Sequence, residues 1–218
     1  MERKNIKKLA VFVSGSGTNL ENLADRIQKG ELRNCKIELV VSDNPRALAL
    51  KRIQRFNLES KVFERKSFNS KAEFEAVIVG SLKEKRIDYV VLAGFMRILS
   101  PDFIKAYRWR VVNIHPALLP EFPGAHAIQD AWSAQAKETG ATVHFVDEGV
   151  DTGAVILQKK VMVDTGETLE SLERKVHTVE YEIYPQAIQW LVDEKLKVVN
   201  GKVVNLCAEE KYKGGKKV

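Results

Sequence analysis

The sequence predicts an α/β protein: a three-layer, mostly parallel open sheet with an antiparallel edge and a C-terminal hairpin. Two observations carry this reading. Short apolar, β-branched runs recur without polar alternation, as strands covered on both faces require. Between them lie segments with apolar residues at helical spacing, and strands alternating with helices build a parallel sheet.

The elements follow in order. Leu9 to Val13 is the first strand, succeeded by the small polar stretch Ser14-Gly15-Ser16-Gly17-Thr18-Asn19 and by Leu20, Leu23 and Ile27 on one helical face. Ile37 to Val41 is the second strand, with a helix after Asn44-Pro45 and a shorter strand at Lys61 to Phe63. A long helical pattern runs from about Lys71 to Lys85, and Tyr89 to Ala93 and Val111 to Ile114 are the next strands. Ala141 to Val146 and Ala154 to Val163 read as longer strands joined by the acidic loop Asp147 to Gly153, which suits an antiparallel edge. A helix follows from about Thr168 to Glu194. Asn200-Gly201 between the β-branched pairs Val198-Val199 and Val203-Val204 signals a two-residue hairpin turn.

Bulk composition sets limits. At 218 residues and 44% hydrophobic, the chain is expected to form a single domain, with halves of about 1–100 and 101–200 and a basic tail at 208–218. The net charge of +6 would suit an anionic partner, but much of the excess sits in Glu2 to Lys8 and Lys211 to Lys217, where it reads as solvated termini. Cys35 and Cys207 are too few and too far apart for a disulfide framework or a four-cysteine zinc site, so a reducing, cytoplasmic setting is expected. No apolar run approaches the roughly 20 residues that span a bilayer, and no signal-peptide core precedes the first strand; no membrane partner is expected.

Two places carry chemistry. The loop Ser14 to Asn19 stands between strand and helix, where free N–H groups and the helix dipole favour a phosphate. Leu20 replaces the third glycine of a dinucleotide loop and no Lys-Ser/Thr pair follows, so a small phosphorylated ligand fits better than NAD or ATP. A simple capped strand-to-helix turn explains the same pattern. The second place is Asn113-Ile114-His115-Pro116. The period of two puts Asn113 and His115 on one face at a strand C-terminus, where ligands gather in open α/β sheets. Asn donates to an oxyanion, and His carries a proton near neutral pH. A carboxylate must orient the imidazole, and Asp151, flanked by Gly149, Thr152 and Gly153, is the candidate, with Asp147 and Glu148 as competitors. A metal site from His115, His126, His144 and Asp151 matches no compact ligand spacing, and no metal is expected.

Four segments in order carry a resemblance: Ser14 to Leu20; Val91 to Ser100; Asn113 to Pro120 with Pro123, Gly124 and His126; and Val150 to Gly153. Over about residues 8–195 the chain resembles the phosphoribosylglycinamide formyltransferase family. The resemblance implies a Rossmann-like formyltransferase fold and transfer of a formyl group from 10-formyltetrahydrofolate to the amine of glycinamide ribonucleotide, in purine synthesis and without a metal. Gly15, Ser16, Gly17, Thr18 and Asn19 would hold the ribonucleotide phosphate, and Glu180 its sugar and amine side. Met96, Arg97, Ile98 and Leu99, with Asn113 and Asp147, Glu148, Gly149, Val150 and Asp151, would bind the folate. Asn113, His115 and Asp151 would be catalytic, with His126 in support. Lys71 stands where some members carry an Arg that meets the folate tail; it keeps the charge and loses the bidentate fork. The implied partners are the two small substrates, with no nucleic acid, in a monomer or homodimer.

Two relatives share this chemistry. A 10-formyltetrahydrofolate hydrolase resembles the chain with a regulatory domain in front, yet here the first strand begins within about ten residues of Met1. Methionyl-tRNA formyltransferase carries a whole extra C-terminal domain, for which only the hairpin and tail remain. A nucleic-acid-binding module, suggested by the charge, would need basic residues interleaved with aromatics or a reader motif, and neither is present.

Overall fold

A computed structural model describes residues 6–206. The terminal basic runs, Glu2 to Lys4 and Lys211 to Lys217, and Cys207 lie outside the described residues. The chain runs β1 (Lys7–Val13), α1 (Thr18–Gln28), β2 (Cys35–Ser42), α2 (Leu48–Arg52) with a 3-10 turn at Ile53–Phe56, β3 (Ser60–Val62), α3 (Lys71–Glu84) and β4 (Tyr89–Leu92). It continues through α4 (Pro101–Ala106), β5 (Val111–His115), α5 (Ala127–Ser133), β6 (Glu138–Phe145), β7 (Val155–Met162), α6 (Leu169–Val192), β8 (Leu196–Val199) and β9 (Lys202–Asn205).

Seven strands form one sheet in the order β3-β2-β1-β4-β5-β6-β7. The first five pair in parallel and β6 and β7 pair antiparallel at one edge, as the sequence predicts. Strand β1 shows why this is a three-layer fold. Residues Leu9 to Val13 are all fully buried; Leu9, Val11 and Val13 join one core with α1 and α6, while Ala10 and Phe12 join the other with α3 and α4. A strand buried on both faces cannot alternate apolar with polar residues. The strand order reverses between β1 and β4, and the crevice at such a switch point is where ligands bind in open α/β sheets.

Caps fix the helices at their predicted starts. Ser70 accepts from the Glu73 N–H at 3.0 Å, and Thr168 from the Ser171 N–H at 3.2 Å. The hairpin turn has Asn200 at φ 50° and Gly201 at φ 74°, the pair of positive angles that such a turn requires. Three features depart from the sequence reading. Strand β5 extends through His115, paired with Thr142 of β6. The helix after Asn44-Pro45 is only five residues long before it tightens. Helices α4 and α5 were not expected; at six and seven residues they are too short for a periodic pattern to register.

Tyr184 of α6 fastens the helix layer to the functional end of the sheet. Its fully buried hydroxyl donates to the Leu92 carbonyl at 2.7 Å, at the end of β4, with the Val112 carbonyl of β5 at 3.3 Å. Burial pushes this phenol well above its usual pKa, so it stays a donor. Tyr184→Phe should lower the unfolding free energy by about 1–2 kcal/mol, the cost of a buried carbonyl losing its donor; urea titration with an unchanged m-value is the check.

Candidate active site

The end of β5 brings the polar residues together. Ile114 packs into the α1/α6 core, so Asn113 and His115 face the other way. The His115 Nε2–H donates to the Phe122 carbonyl at 2.8 Å, since a carbonyl only accepts, and this leaves Nδ1 facing Asp151 Oδ2 at 3.3 Å. His144 lies opposite Asn113 across the β5/β6 pair. Its Nδ1–H donates to the Phe145 carbonyl at 2.8 Å, and its Nε2 faces Asn113 Nδ2 at 3.2 Å and Asp151 Oδ1 at 3.5 Å. Asp151 also accepts from Asn113 Nδ2 at 3.4 Å and from the Gly124 N–H at 2.9 Å. One carboxylate therefore stands among an amide, two imidazoles and a backbone N–H.

The loop chemistry explains how Asp151 gets there. Asp147 Oδ1 accepts from the Gly149 N–H at 3.1 Å and the Thr152 hydroxyl at 2.7 Å, which folds the loop on itself. A Cβ at Gly153 would run into the Phe145 backbone carbonyl, so only glycine lets the loop return this close to β6. Asp151 turns at φ 54°. Asp147 is thus spent on the loop, and Glu148 lines a separate cavity with Lys105 and Arg108; neither is the carboxylate brought to His115. Burial raises the Asp151 pKa, but the His144 bond, the Gly124 N–H and the charges of His115 and His144 outweigh it and hold the carboxyl below its usual range.

Across the same cleft, of about 420 Å³, lies the β1–α1 loop. Gly17 is the helix N-cap at φ 72°, and a Cβ there would collide with Ala49. No side chain caps this helix, so the first-turn N–H groups are not closed off by a capping residue. Ser16, Thr18 and Asn19 line the cleft; the Gly15 carbonyl instead accepts from the Ala49 N–H at 3.1 Å. Glu180, its side chain only 4% exposed, faces the cleft from α6 and accepts from Asn19 Nδ2 at 3.1 Å and His177 Nδ1 at 2.7 Å, both on Oε2. The Glu180 bond raises the His177 pKa against the opposing effect of burial.

The remaining residues sort by position. Met96, Arg97, Ile98 and Leu99 line this cleft and a second cavity of about 330 Å³, which Lys71 and Arg65 also border. Gly149 and Val150 line the main cleft. His126 is exposed at the N-cap of α5, and the structure does not bring it to the Asp151 cluster. Burial lifts the Cys35 thiol to about 12, which makes it a poor nucleophile. Among the described residues no group of three or more His, Cys, Asp or Glu is placed to hold a metal ion.

At the end of β5, Asn113 and His115 face Asp151 across a cleft from an uncapped helix N-terminus, and the chain belongs to the formyl transferase family, whose model matches residues 7–188. More particularly, it is 41% identical over 187 residues to phosphoribosylglycinamide formyltransferase of Bacillus subtilis strain 168, covering 86% of this chain and 95% of that protein. Glycinamide ribonucleotide transformylase 1 from Symbiobacterium toebii superposes with a TM-score of 0.90 at 35% identity, covering 94% of this chain and 96% of that one. The trifunctional purine biosynthetic protein adenosine-3 of Drosophila melanogaster is 42% identical over 188 residues; the match covers 86% of this chain and 14% of that protein.

Sequence reasoning weighed His144 only in a metal set that it rejected, and did not single out His177 as a site residue. His144 was legible only through the β5/β6 register, which sets it opposite Asn113. His177 precedes Glu180 by three residues, the spacing that brings two helix side chains together. The fold favours the ionised form of Asp151. This contribution is complete above the unfolded carboxyl pKa of about 3.9 and is lost as pH falls through the lower folded value. The unfolding free energy of wild type relative to Asp151→Asn should therefore shrink below about pH 4 in urea titrations; a difference that stays constant with pH would contradict the ionised carboxylate.

Proposed function

We propose that this chain transfers a formyl group from 10-formyltetrahydrofolate to the amine of glycinamide ribonucleotide, yielding N-formylglycinamide ribonucleotide and tetrahydrofolate, a step of purine biosynthesis. One observation carries the reading: the Asn113, His115 and Asp151 set shares a single cleft with a phosphate-type loop on one side and the Met96–Leu99 wall on the other. The ribonucleotide phosphate sits on the α1 N-terminus at Gly17, Thr18 and Asn19, where backbone donors and the helix dipole favour it. Glu180 Oε1 takes the sugar and amine side, Oε2 being held by Asn19 and His177. The folate ring lies between Met96–Leu99 and the 147–151 loop, with its acidic tail toward Lys71.

The geometry suits direct transfer. The amine nitrogen bonds to the formyl carbon, the carbon–nitrogen bond to the folate breaks, and one proton moves from the amine to the departing nitrogen. Negative charge gathers on the formyl oxygen as this happens. Asn113 Nδ2 and His115 Nδ1, a donor once the ring takes a second proton, stand 3.4 and 3.3 Å from Asp151, longer than ordinary hydrogen bonds. These donors are held in place but weakly engaged, so an oxyanion at about 2.7–3.1 Å outcompetes the carboxylate for them. Asp151, facing His115 Nδ1, relays the proton, directly or through water. Cys35 plays no part, and the two substrates need only be held together.

The test is to follow loss of formyl from the folate with and without the ribonucleotide. Turnover should require the ribonucleotide, and turnover that ignores it would assign the hydrolase reaction instead. His115→Ala and Asp151→Asn should each lower kcat by about 10²–10⁴-fold, the usual share of a positioned acid or base, with the fold intact by circular dichroism. Near-normal activity in either variant would remove that residue from the catalytic set.

A further inference from the structure

Arg97 borders both cavities, and the way it is held points to a residue outside either lining. Its Nε–H donates to Asp43 Oδ2 at 2.5 Å, and its guanidinium lies 5.8 Å from the centre of the Phe74 ring. Asp43 follows β2, on the far side of β1 from the Met96–Leu99 wall. Its side chain is only 8% exposed, and its second oxygen, Oδ1, is buried without a partner among the described residues. A carboxylate buried with one oxygen unpaired is costly, and the Arg97 contact is what compensates it. Arg97 remains 39% exposed. Because Nε is the atom consumed, the two Nη groups are left for a ligand.

The rest of this wall is tied down in the same manner. The Met96 N–H donates to Ser14 Oγ at 2.9 Å, and the Ser14 N–H to the Gly94 carbonyl at 3.0 Å. At the other end the Ser100 N–H and hydroxyl donate to the buried Glu75 carboxylate. The backbone is thus fixed independently of Asp43, whose particular partner is the Arg97 side chain.

We propose that Asp43 is a positioning residue for the formyl donor: by clamping Arg97 Nε it aims the Nη fork into the cavity bordered by Arg65 and Lys71, to receive a carboxylate of the donor's acidic tail. A planar fork held at one nitrogen loses less freedom on meeting a carboxylate than a free side chain does. The inference rests on the formyl-donor reading and adds a residue that touches no substrate.

The experiment measures the Kd and KM for 10-formyltetrahydrofolate, and for a formylated analogue lacking the glutamyl carboxylates, in wild type, Asp43→Ala, Asp43→Asn, Arg97→Ala and the Asp43→Ala/Arg97→Ala pair. Asp43→Ala should raise the Kd and KM for the full donor about tenfold, the worth of one charge-assisted hydrogen bond, with kcat and the ribonucleotide KM within about twofold. Asp43→Asn, nearly isosteric, should fold normally and raise KM less. With Arg97 already replaced, Asp43→Ala should add nothing, and the truncated analogue should bind alike to wild type and Asp43→Ala. An unchanged Kd for the full donor in Asp43→Ala, an equal loss for the truncated analogue, or effects of Asp43 and Arg97 that simply multiply would overturn the proposal. Wild-type protein that binds no folate would instead fail the formyl-donor reading, and the role of Asp43 with it.

Discussion

The Asp151 carboxylate is the point on which this site depends. Its two oxygens collect Asn113, His115, His144 and the Gly124 N–H, groups drawn from two strands and a loop that share no local sequence. Such convergence is costly for a group that is largely withdrawn from water, and the fold meets that cost with donors rather than by protonating the carboxyl. The loop supplying it is stiffened from within by Asp147 and Thr152 and pressed against β6 at Gly153. Charge at Asp151 and order in its loop therefore support each other.

The sheet supplies the rest by topology. Reversal of strand order between β1 and β4 opens a crevice at their C-terminal ends, and the loops that rim it are those after β1 and β4. One brings the uncapped α1 N-terminus, suited to an anion; the other brings the Met96–Leu99 wall. Ser14 bonds one loop to the other, so the two sides of the cleft keep a fixed spacing. Direct transfer between two bound molecules needs such a spacing more than it needs any reactive protein atom.

The layered sheet was readable because doubly buried strands leave unbroken apolar runs, and Asn113 and His115 were readable because a strand alternates its faces. Asp151 was readable as the candidate among three acidic residues from the glycines and threonine around it; the bonds that fold Asp147 back onto the loop and leave Asp151 facing His115 are what no local pattern encodes. The place of His144 beside Asn113, and Asp43 altogether, were not legible for a related reason. Each acts through a partner dozens of residues away, His144 through strand register and Asp43 through a side chain beyond β1. His126, which the resemblance implies in a supporting role, is exposed at the start of α5.

Backbone carbonyls fix the proton on His115 and on His144, so that His115 offers Nδ1, and not Nε2, to Asp151 and the cleft. Nitrogen-15 NMR of histidine-labelled protein in alkaline buffer, where both rings are neutral, reads this directly. The two rings should hold opposite tautomers: His115 protonated on Nε2, donated to the Phe122 carbonyl, and His144 protonated on Nδ1, donated to the Phe145 carbonyl. A neutral His115 carrying its proton on Nδ1 would contradict it.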